Sequence, residues 1–245
     1  MNFGLLGKNL KHSLSKKIFE DFLKKTNPNI NYFLIEVDDL NNLYSIIREF
    51  DLFGFNITSP YKVEIISYLD TIDSIAKEIG AVNVVKIKRE NGNLKLLGFN
   101  TDYIGFTQAY WQIIRDVKDT ILILGTGGAA KSVAYALLKL NKNNFYFVSR
   151  KNSTNKILNY KDLENLNLNI GLIINATSIG IYKNDSDIYL PEIIFKNKPF
   201  FIDLNYNPEI TYFMELAMLH KCPVLNGYSM LILQAKESWK IWGLI

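Results

Sequence analysis

Cysteine is nearly missing from this chain. Cys222 is the only one, so no internal disulfide can form and no cysteine cluster can hold a metal. Histidine is as scarce, with only His12 and His220, which removes the usual partners of a zinc site, so no metal is expected. No uninterrupted apolar run reaches the roughly 20 residues that a spanning helix needs. The opening Met1 to Gly7 lacks the basic region and long apolar stretch of a signal peptide. A basic block is missing too: the net charge of +4 comes from lysines and arginines scattered among Asn, Asp and Glu, which argues against a nucleic-acid surface. The remaining expectation is a cytoplasmic protein, monomer or homodimer, whose partner is a small molecule rather than a membrane or a nucleic acid.

What the chain does have is apolar side chain. Hydrophobic residues make up 48% of its 245 positions and charged ones 21%, enough for a sizeable core in one large or two modest domains. Short apolar runs alternate with stretches of helical period, the pattern of a parallel sheet covered by helices. The runs are Phe3 to Gly7, Tyr32 to Val37, Phe53 to Thr58 and Ala81 to Ile87. Helical spacing is found in Ser15 to Lys25 and Leu40 to Phe50. An Asn-Gly turn within Lys88 to Asn93 predicts a hairpin, hence an antiparallel edge to the first sheet. A helix from Asp102 to about Arg115 follows, and the charges at Arg115, Asp116, Lys118 and Asp119 mark a boundary after it.

The alternation then restarts. Strands are expected at Thr120 to Gly125, Phe145 to Ser149, Gly171 to Asn175, Phe200 to Leu204 and Pro223 to Leu225. Helices are expected at Gly128 to Leu140, Pro208 to His220 and Gly227 to about Trp242. The fold class is α/β: an N-terminal mixed, mostly parallel α/β domain, followed by a Rossmann-type domain. The expected division is 1–101 and 102–227, with the last helix, about 228–245, packing back onto the first domain.

The sharpest local signal is Gly125-Thr126-Gly127-Gly128-Ala129-Ala130, which joins the β-rich Thr120 to Leu124 to a helical run beginning at Lys131. Glycines there permit positive φ and let backbone N–H groups approach a pyrophosphate at the helix N-terminus, with Ala130 in the third glycine position. The strand and helix on either side are the context such a loop requires. An acidic residue at the end of the next strand would bind the ribose hydroxyls of NAD. Ser149, Arg150 and Lys151 stand there instead, and two cations suit the 2′-phosphate of NADP.

In the first half, polar segments follow two strands where an α/β fold places its ligand. One is Asn56 to Lys62 and the other Asn100-Thr101-Asp102. Reduction of a carbonyl by a nicotinamide needs a proton donor. An ammonium can polarise the carbonyl and donate, while a nearby carboxylate orients it. Taken alone, Lys62 reads first as a surface lysine at a helix start, and Asp102 as a helix N-cap.

Together the motifs resemble the shikimate dehydrogenase family, in order and across nearly the whole chain. His12-Ser13-Leu14-Ser15 is similar to the family's substrate motif, which implies that Ser13 and Ser15 hold the substrate carboxylate. Gly54 to Lys62 resembles its lysine motif, implying that Lys62 is the acid/base and that Asn56 and Thr58 lie beside the substrate. Gly80 to Asn83 and Gly98 to Asp102 match two more segments, where Asn83 and Asp102 would bind substrate hydroxyls and Asp102 would pair with Lys62. In the second half the resemblance continues through the glycine loop, Asn175 to Gly180 and Asp203 to Pro208, implying Thr177, Ser178 and Leu204 at the cofactor and Tyr206 at the substrate pocket. Gly227 to Ala235 resembles the closing motif, which implies Gly227 and Met230 near the nicotinamide and Gln234 on the substrate. The implied activity is the reversible, NADPH-dependent reduction of 3-dehydroshikimate to shikimate.

The chain departs from the family pattern at Lys16, where proline is common, at Val84, where threonine is usual, and at Ser149-Arg150-Lys151, which partly matches the usual Asn-Arg-Thr; Thr154 stands where a further basic residue is frequent. Ser13 and Ser15 also read as N-caps of the first helix, a role compatible with carboxylate binding. His12 reads as a structural neighbour of the serines. Trp111, Trp239 and Trp242 read as packing residues on amphipathic helices. The rival readings are an NAD-dependent quinate or shikimate dehydrogenase, a non-catalytic dinucleotide-binding regulator on the same fold, and another lysine-dependent dehydrogenase such as one acting on a folate.

Overall fold

The computed structural model describes residues 1–24, 27–90, 92–150, 154–183 and 190–245. The chain forms two compact units, Met1–Gly105 with Leu231–Ile245, and Phe106–Met230.

The first unit is built on β1 (Asn2–Gly7), β2 (Asn31–Glu36), β3 (Leu52–Ile57), β4 (Thr71–Ile72), β5 (Val84–Glu90) and β6 (Asn93–Phe99). Their order across the sheet is β2-β1-β3-β5-β6-β4. β1 pairs in parallel with β2 and β3, and β4 with β6, while β5 is antiparallel to both neighbours. The hairpin therefore reverses one strand in the interior of the sheet, not at its edge as the Asn-Gly turn alone suggested, because the two-residue β4 extends the sheet beyond β6. Val84 starts β5 where the apolar run begins at Ala81; residues 81–83 precede the strand.

Helices α1 (Ser15–Phe19), α2 (Leu43–Glu49) and α3 (Ser74–Ile79) cover this sheet. The expected helix from Ser15 is α-helical for five residues and continues as a π-helical stretch, Glu20–Lys24. Neither serine is its N-cap: Leu14 occupies that position without a side-chain hydrogen bond, and Ser13 Oγ instead accepts from the Ser15 N–H at 3.3 Å. Helix α3 was not legible as an apolar stripe, yet its ends are well marked. Asp73 accepts from the N–H groups of Ile75 and Ala76, and Gly80 closes it in the left-handed region at φ 69°.

Side chains of both sheet faces and of the last helix fill the core. Leu6, Leu43, Ile47, Phe55, Ile57 and Leu96 form one buried cluster. On the other side Trp242 stacks on Phe3 with ring centroids 4.7 Å apart, and its Nε1 donates to the Val85 carbonyl at 3.1 Å. A Cβ on Gly54 would collide with that indole, so the absent side chain in β3 is what admits it.

Helix α4 (Asp102–Ile114) leads into the second unit. The charged stretch 115–119 lies inside that unit, where Lys142 Nζ donates to the carbonyls of Arg115 and Val117 at 2.8 and 2.7 Å. The unit contains β7 (Thr120–Leu124), α5 (Gly128–Lys139), β8 (Phe145–Ser149), β9 (Ile157–Asn159), β10 (Ile170–Asn175), β11 (Phe200–Asp203), α6 (Tyr212–Leu219) and β12 (Val224–Leu225). The last helix is α7 (Tyr228–Trp242).

All six strands of the second sheet run parallel in the order β12-β11-β10-β7-β8-β9. Read from β9 this is the 3-2-1-4-5-6 order of a dinucleotide-binding sheet, with its switch point between β7 and β10. The three-residue β9 was too short to be seen as a periodic run. Helix α6 starts at Tyr212 rather than Pro208 because Thr211 is its cap, accepting from the Met214 N–H while donating to Asp203 at 2.6 Å. Of the tryptophans, Trp239 and Trp242 are buried, whereas Trp111 is 43% exposed and contributes less to packing than its helix suggested.

Candidate active site

The register of the first sheet decides which loops meet. Leu6 lies opposite Ile57, Asn56 opposite Val84, and Val84 opposite Phe99. The segments after β1, after β3, before β5 and after β6 consequently leave from a single edge. Backbone bonds tie them just beyond the strands: Thr58 N–H to the Leu6 carbonyl at 3.0 Å, Ile57 N–H to the Asn83 carbonyl at 2.9 Å, and Asn83 N–H to the Phe99 carbonyl at 3.0 Å.

On that edge Lys62 Nζ lies 2.6 Å from Asp102 Oδ2, with side chains 13% and 5% exposed. Lys62 is held on a turn whose carbonyl accepts from the Val82 N–H at 2.8 Å. Asp102 is the first residue of α4, and its other oxygen accepts from Asn83 Nδ2 at 2.8 Å. Asn83 is itself locked: its Oδ1 accepts from the Thr101 N–H at 2.7 Å, and its Nδ2 also lies within 3.2 Å of Gln234 Oε1. Neither Lys62 nor Asp102 is therefore the solvated surface residue or plain cap that each could have been in isolation. A charge-assisted pair largely removed from water, with the ammonium the more exposed member, is suited to passing a proton outward.

Asn56 sits one step deeper, with every polar group engaged. Its Oδ1 accepts from the Tyr32 hydroxyl at 2.9 Å, and its Nδ2 donates to the Asn83 carbonyl at 3.2 Å and to Ser238 Oγ at 3.0 Å. Ser238, fully buried on α7 one turn after Gln234, also donates to the Gln234 carbonyl at 3.0 Å and lies 3.3 Å from Thr101 Oγ1. Sequence reasoning missed it. The available signal was its spacing of four residues from Gln234 on one helix face. Thr58 and Ser13, on loops at the same edge, and Ser15, the first residue of α1, are partly buried. A Cβ on Gly7 would strike the Thr58 methyl, which brings the β1 and β3 loops into close contact. The 3-10 turn Leu10–His12 before Ser13 is anchored by Glu36, whose Oε1 accepts from the Leu10 N–H at 2.5 Å.

In the second unit the glycine loop lies at the end of β7. Gly125 has φ 102°, and a Cβ there would come within 2.7 Å of the Thr177 methyl. Gly127 differs: its φ is −76° and a Cβ would meet nothing within 4 Å. Nothing in the protein itself asks for glycine at that position, which fits a surface kept bare for a ligand at the N-terminus of the twelve-residue α5. Gly128 and Ala129 are partly buried beside it, and the fully buried Ala130 lets the helix pack closely on the sheet.

Ser149 ends β8, followed by the exposed Arg150, while Lys151 lies outside the described residues. Thr177 hydrogen-bonds through Oγ1 to Asn175 Oδ1 at 2.7 Å, and Ser178 is exposed next to it. Gly227 is buried against the Leu204 backbone so tightly that a Cβ would overlap the Leu204 carbonyl. Met230 is buried and Tyr206 partly so. Below these loops Asp203 is fully buried, and burial pushes its carboxyl up to about 6 against the opposing hydrogen bonds from Thr211 and Asn205. Among the described residues no group of three or more His, Cys, Asp and Glu could hold a metal, and no helix is long and apolar enough to cross a membrane.

Comparison with known proteins matches this arrangement. Residues 5–85 fit a family model described as the shikimate dehydrogenase substrate binding domain. A protein of Methanococcus aeolicus called shikimate dehydrogenase (NADP(+)) is 37% identical, with 98% of this chain and 90% of the relative covered. Among solved structures, shikimate dehydrogenase 1 of Peptoclostridium difficile superposes with a TM-score of 0.87 at 33% identity, covering 99% of this chain and 91% of that one. Shikimate 5-dehydrogenase of Thermus thermophilus, solved in complex with NADP(H) and shikimate, gives 0.80 at 28%, covering 99% and 93%. With identity of this level over nearly its full length, and with both sheets in the order described, the chain belongs to the shikimate dehydrogenase family.

Proposed function

We propose that this protein catalyses the reversible reduction of 3-dehydroshikimate to shikimate with NADPH, in the cytoplasm and as a monomer or homodimer, within the pathway that leads to chorismate and the aromatic amino acids. The observation that carries the reading is the Lys62–Asp102 pair at 2.6 Å on the loop-bearing edge of the first sheet. The first unit is the substrate-binding and catalytic body, and the second holds the cofactor.

NADPH, when bound, supplies the hydride. Ser13 and Ser15 hold the substrate carboxylate, and since the substrate ring is rigid, fixing one end orients the carbonyl at the other. The ammonium of Lys62 polarises the carbonyl oxygen and gives it a proton, a contribution of about 10²–10⁴ in rate. Lys62 then recovers its proton from solvent, on which its side chain opens more than that of Asp102 does. Asp102 holds the ammonium in place and accepts from a substrate hydroxyl. Asn83 and Gln234 present polar groups to the other hydroxyls, with Asn56 and Thr58 beside them. For the cofactor, the N–H groups of Gly125 to Ala130 take the pyrophosphate, and Ser149, Arg150 and Lys151 take the 2′-phosphate. Thr177, Ser178 and Leu204 line the cofactor, with Gly227 and Met230 near its nicotinamide.

The test is a two-by-two assay of shikimate and quinate against NADP and NAD. Rapid reduction of NADP with shikimate is the expected result. Faster turnover with NAD would replace the cofactor reading, and cofactor binding without turnover of either acid would make the protein a non-catalytic sensor.

A further inference from the structure

Parallel strands β10, β11 and β12 each end in a loop, and one residue reaches all three. Asn205 follows β11. Its side-chain amide has two N–H groups: Nδ2 donates to the Thr177 carbonyl, in the loop after β10, at 2.8 Å, and to Asp203 Oδ1 at 2.8 Å. Its backbone N–H donates to the same Asp203 oxygen at 3.0 Å, and its carbonyl accepts from the Gly227 N–H, in the segment after β12, at 2.9 Å. The preceding Leu204 N–H donates to the Asn175 carbonyl at 3.0 Å, and the Leu204 carbonyl is the group that a Cβ on Gly227 would overlap.

Loops that leave a parallel sheet side by side have no ladder bonds to hold their mutual register. A ligand that must fix them on binding spends affinity on their ordering, whereas loops already fixed do not impose that cost. A planar amide with two donors is suited to bridging the Thr177 carbonyl on the neighbouring loop and the Asp203 carboxylate at the end of its own strand. A carboxylate of the same size would repel Asp203 and donate nothing, and an apolar side chain would leave both acceptors without it. Asp203 gives the amide its direction, since the carboxylate is fully buried and is also held by Thr211 at 2.6 Å.

We propose that the Asn205 side chain is a positioning group that clamps the loop after β10 to the loop after β11, whose backbone in turn holds Gly227 after β12, in the shape that receives the nicotinamide end of the cofactor. The inference rests on the reading of the second unit as the NADP-binding body, because Thr177, Leu204 and Gly227 are the residues it holds. It concerns affinity for the cofactor and not for the acid substrate, whose carboxylate and hydroxyl contacts are assigned to the first unit.

The experiment measures NADPH binding to the full-length protein by fluorescence titration without substrate, together with the KM for shikimate, for wild type, Asn205→Ala, Asn205→Ser and Asn205→Gln. Loss of two hydrogen bonds predicts an NADPH Kd about tenfold higher for Asn205→Ala. The shikimate KM should stay within about twofold. Gln, which keeps the amide, should recover part of the lost affinity. An Asn205→Ala Kd within twofold of wild type, or an equal rise in Kd and shikimate KM, overturns the clamp. If circular dichroism shows Asn205→Ala unfolded, Asn205→Ser, with one donor left, decides by the same criteria. Wild-type protein that binds no NADPH overturns the cofactor reading along with the clamp, a result distinct from failure of the clamp alone.

Discussion

Lys62 and Asp102 stand forty positions apart in the chain and 2.6 Å apart in space, and the pair is closed on its far side by Asn83, which donates to the second oxygen of Asp102 at 2.8 Å. Lys62→Ala should therefore lower kcat by about 10²–10⁴ and leave NADPH binding within about twofold. Asp102→Ala should cost more stability than Lys62→Ala, because it leaves the ammonium without its acceptor and takes from the buried Asn83 amide the shortest of its hydrogen bonds. Steady-state kinetics and thermal melts of the two variants check this. An unchanged kcat for Lys62→Ala would remove it from the chemistry.

The two glycines of the nucleotide loop should respond differently to the same change. Gly125→Ala places a side chain at φ 102° and against Thr177, so it should lower the melting temperature. Gly127→Ala meets no protein atom and has an ordinary φ, so the fold should be as stable as the wild type or slightly more so while NADPH binding weakens. Calorimetry paired with cofactor titration separates the outcomes, and undiminished binding by Gly127→Ala would show that the space above it is not used by the cofactor.

Ser238→Ala tests the buried node of α7. The change removes an acceptor from Asn56 and a neighbour from Thr101, so a loss of roughly 1–3 kcal/mol in unfolding free energy is expected. Gln234 sits one turn earlier on the same helix, and its carbonyl loses the Ser238 hydroxyl, so the shikimate KM should rise more than the NADP KM. Equal effects on both would make the serine a packing residue only.

Asp203 supplies a pH signature. The folded carboxyl holds its proton up to about 6, whereas an unfolded aspartate releases it near 3.8, so the folded state binds more protons in that window. Its contribution to stability is highest below the unfolded value, declines as pH rises towards 6, and stays at its minimum above. Asp203→Asn removes this titration. Relative to wild type, the variant should gain about 2 kcal/mol in unfolding free energy between about pH 4 and pH 6.5. Urea melts across that range test it, and a difference independent of pH would show that burial does not raise this carboxyl.

The alternating apolar runs, the glycine loop and the ordered motifs were legible because they are local: side-chain period reveals a strand or a helix within ten or so residues, and a strand-glycine-helix sequence needs no distant partner. The elements that escaped notice were too short to establish a period, as with β4 and β9, or were marked by caps rather than a stripe, as with α3 between Asp73 and Gly80. The first helix fell short because propensity says nothing of where a turn loosens into the π-helical stretch at Glu20.

By itself, then, the amino-acid sequence determined the two α/β halves, the nucleotide loop and the residue types available for chemistry. That Lys62 meets Asp102 was decided by sheet register, Asn56 opposite Val84 and Val84 opposite Phe99, which no local pattern encodes. The same holds for Ser238 beneath Asn56 and for Asn205 across three loops, both products of long-range packing. Local chemistry sets which groups a chain can offer, and only the closing of sheets and helices around a core sets which of them come within a hydrogen bond of one another.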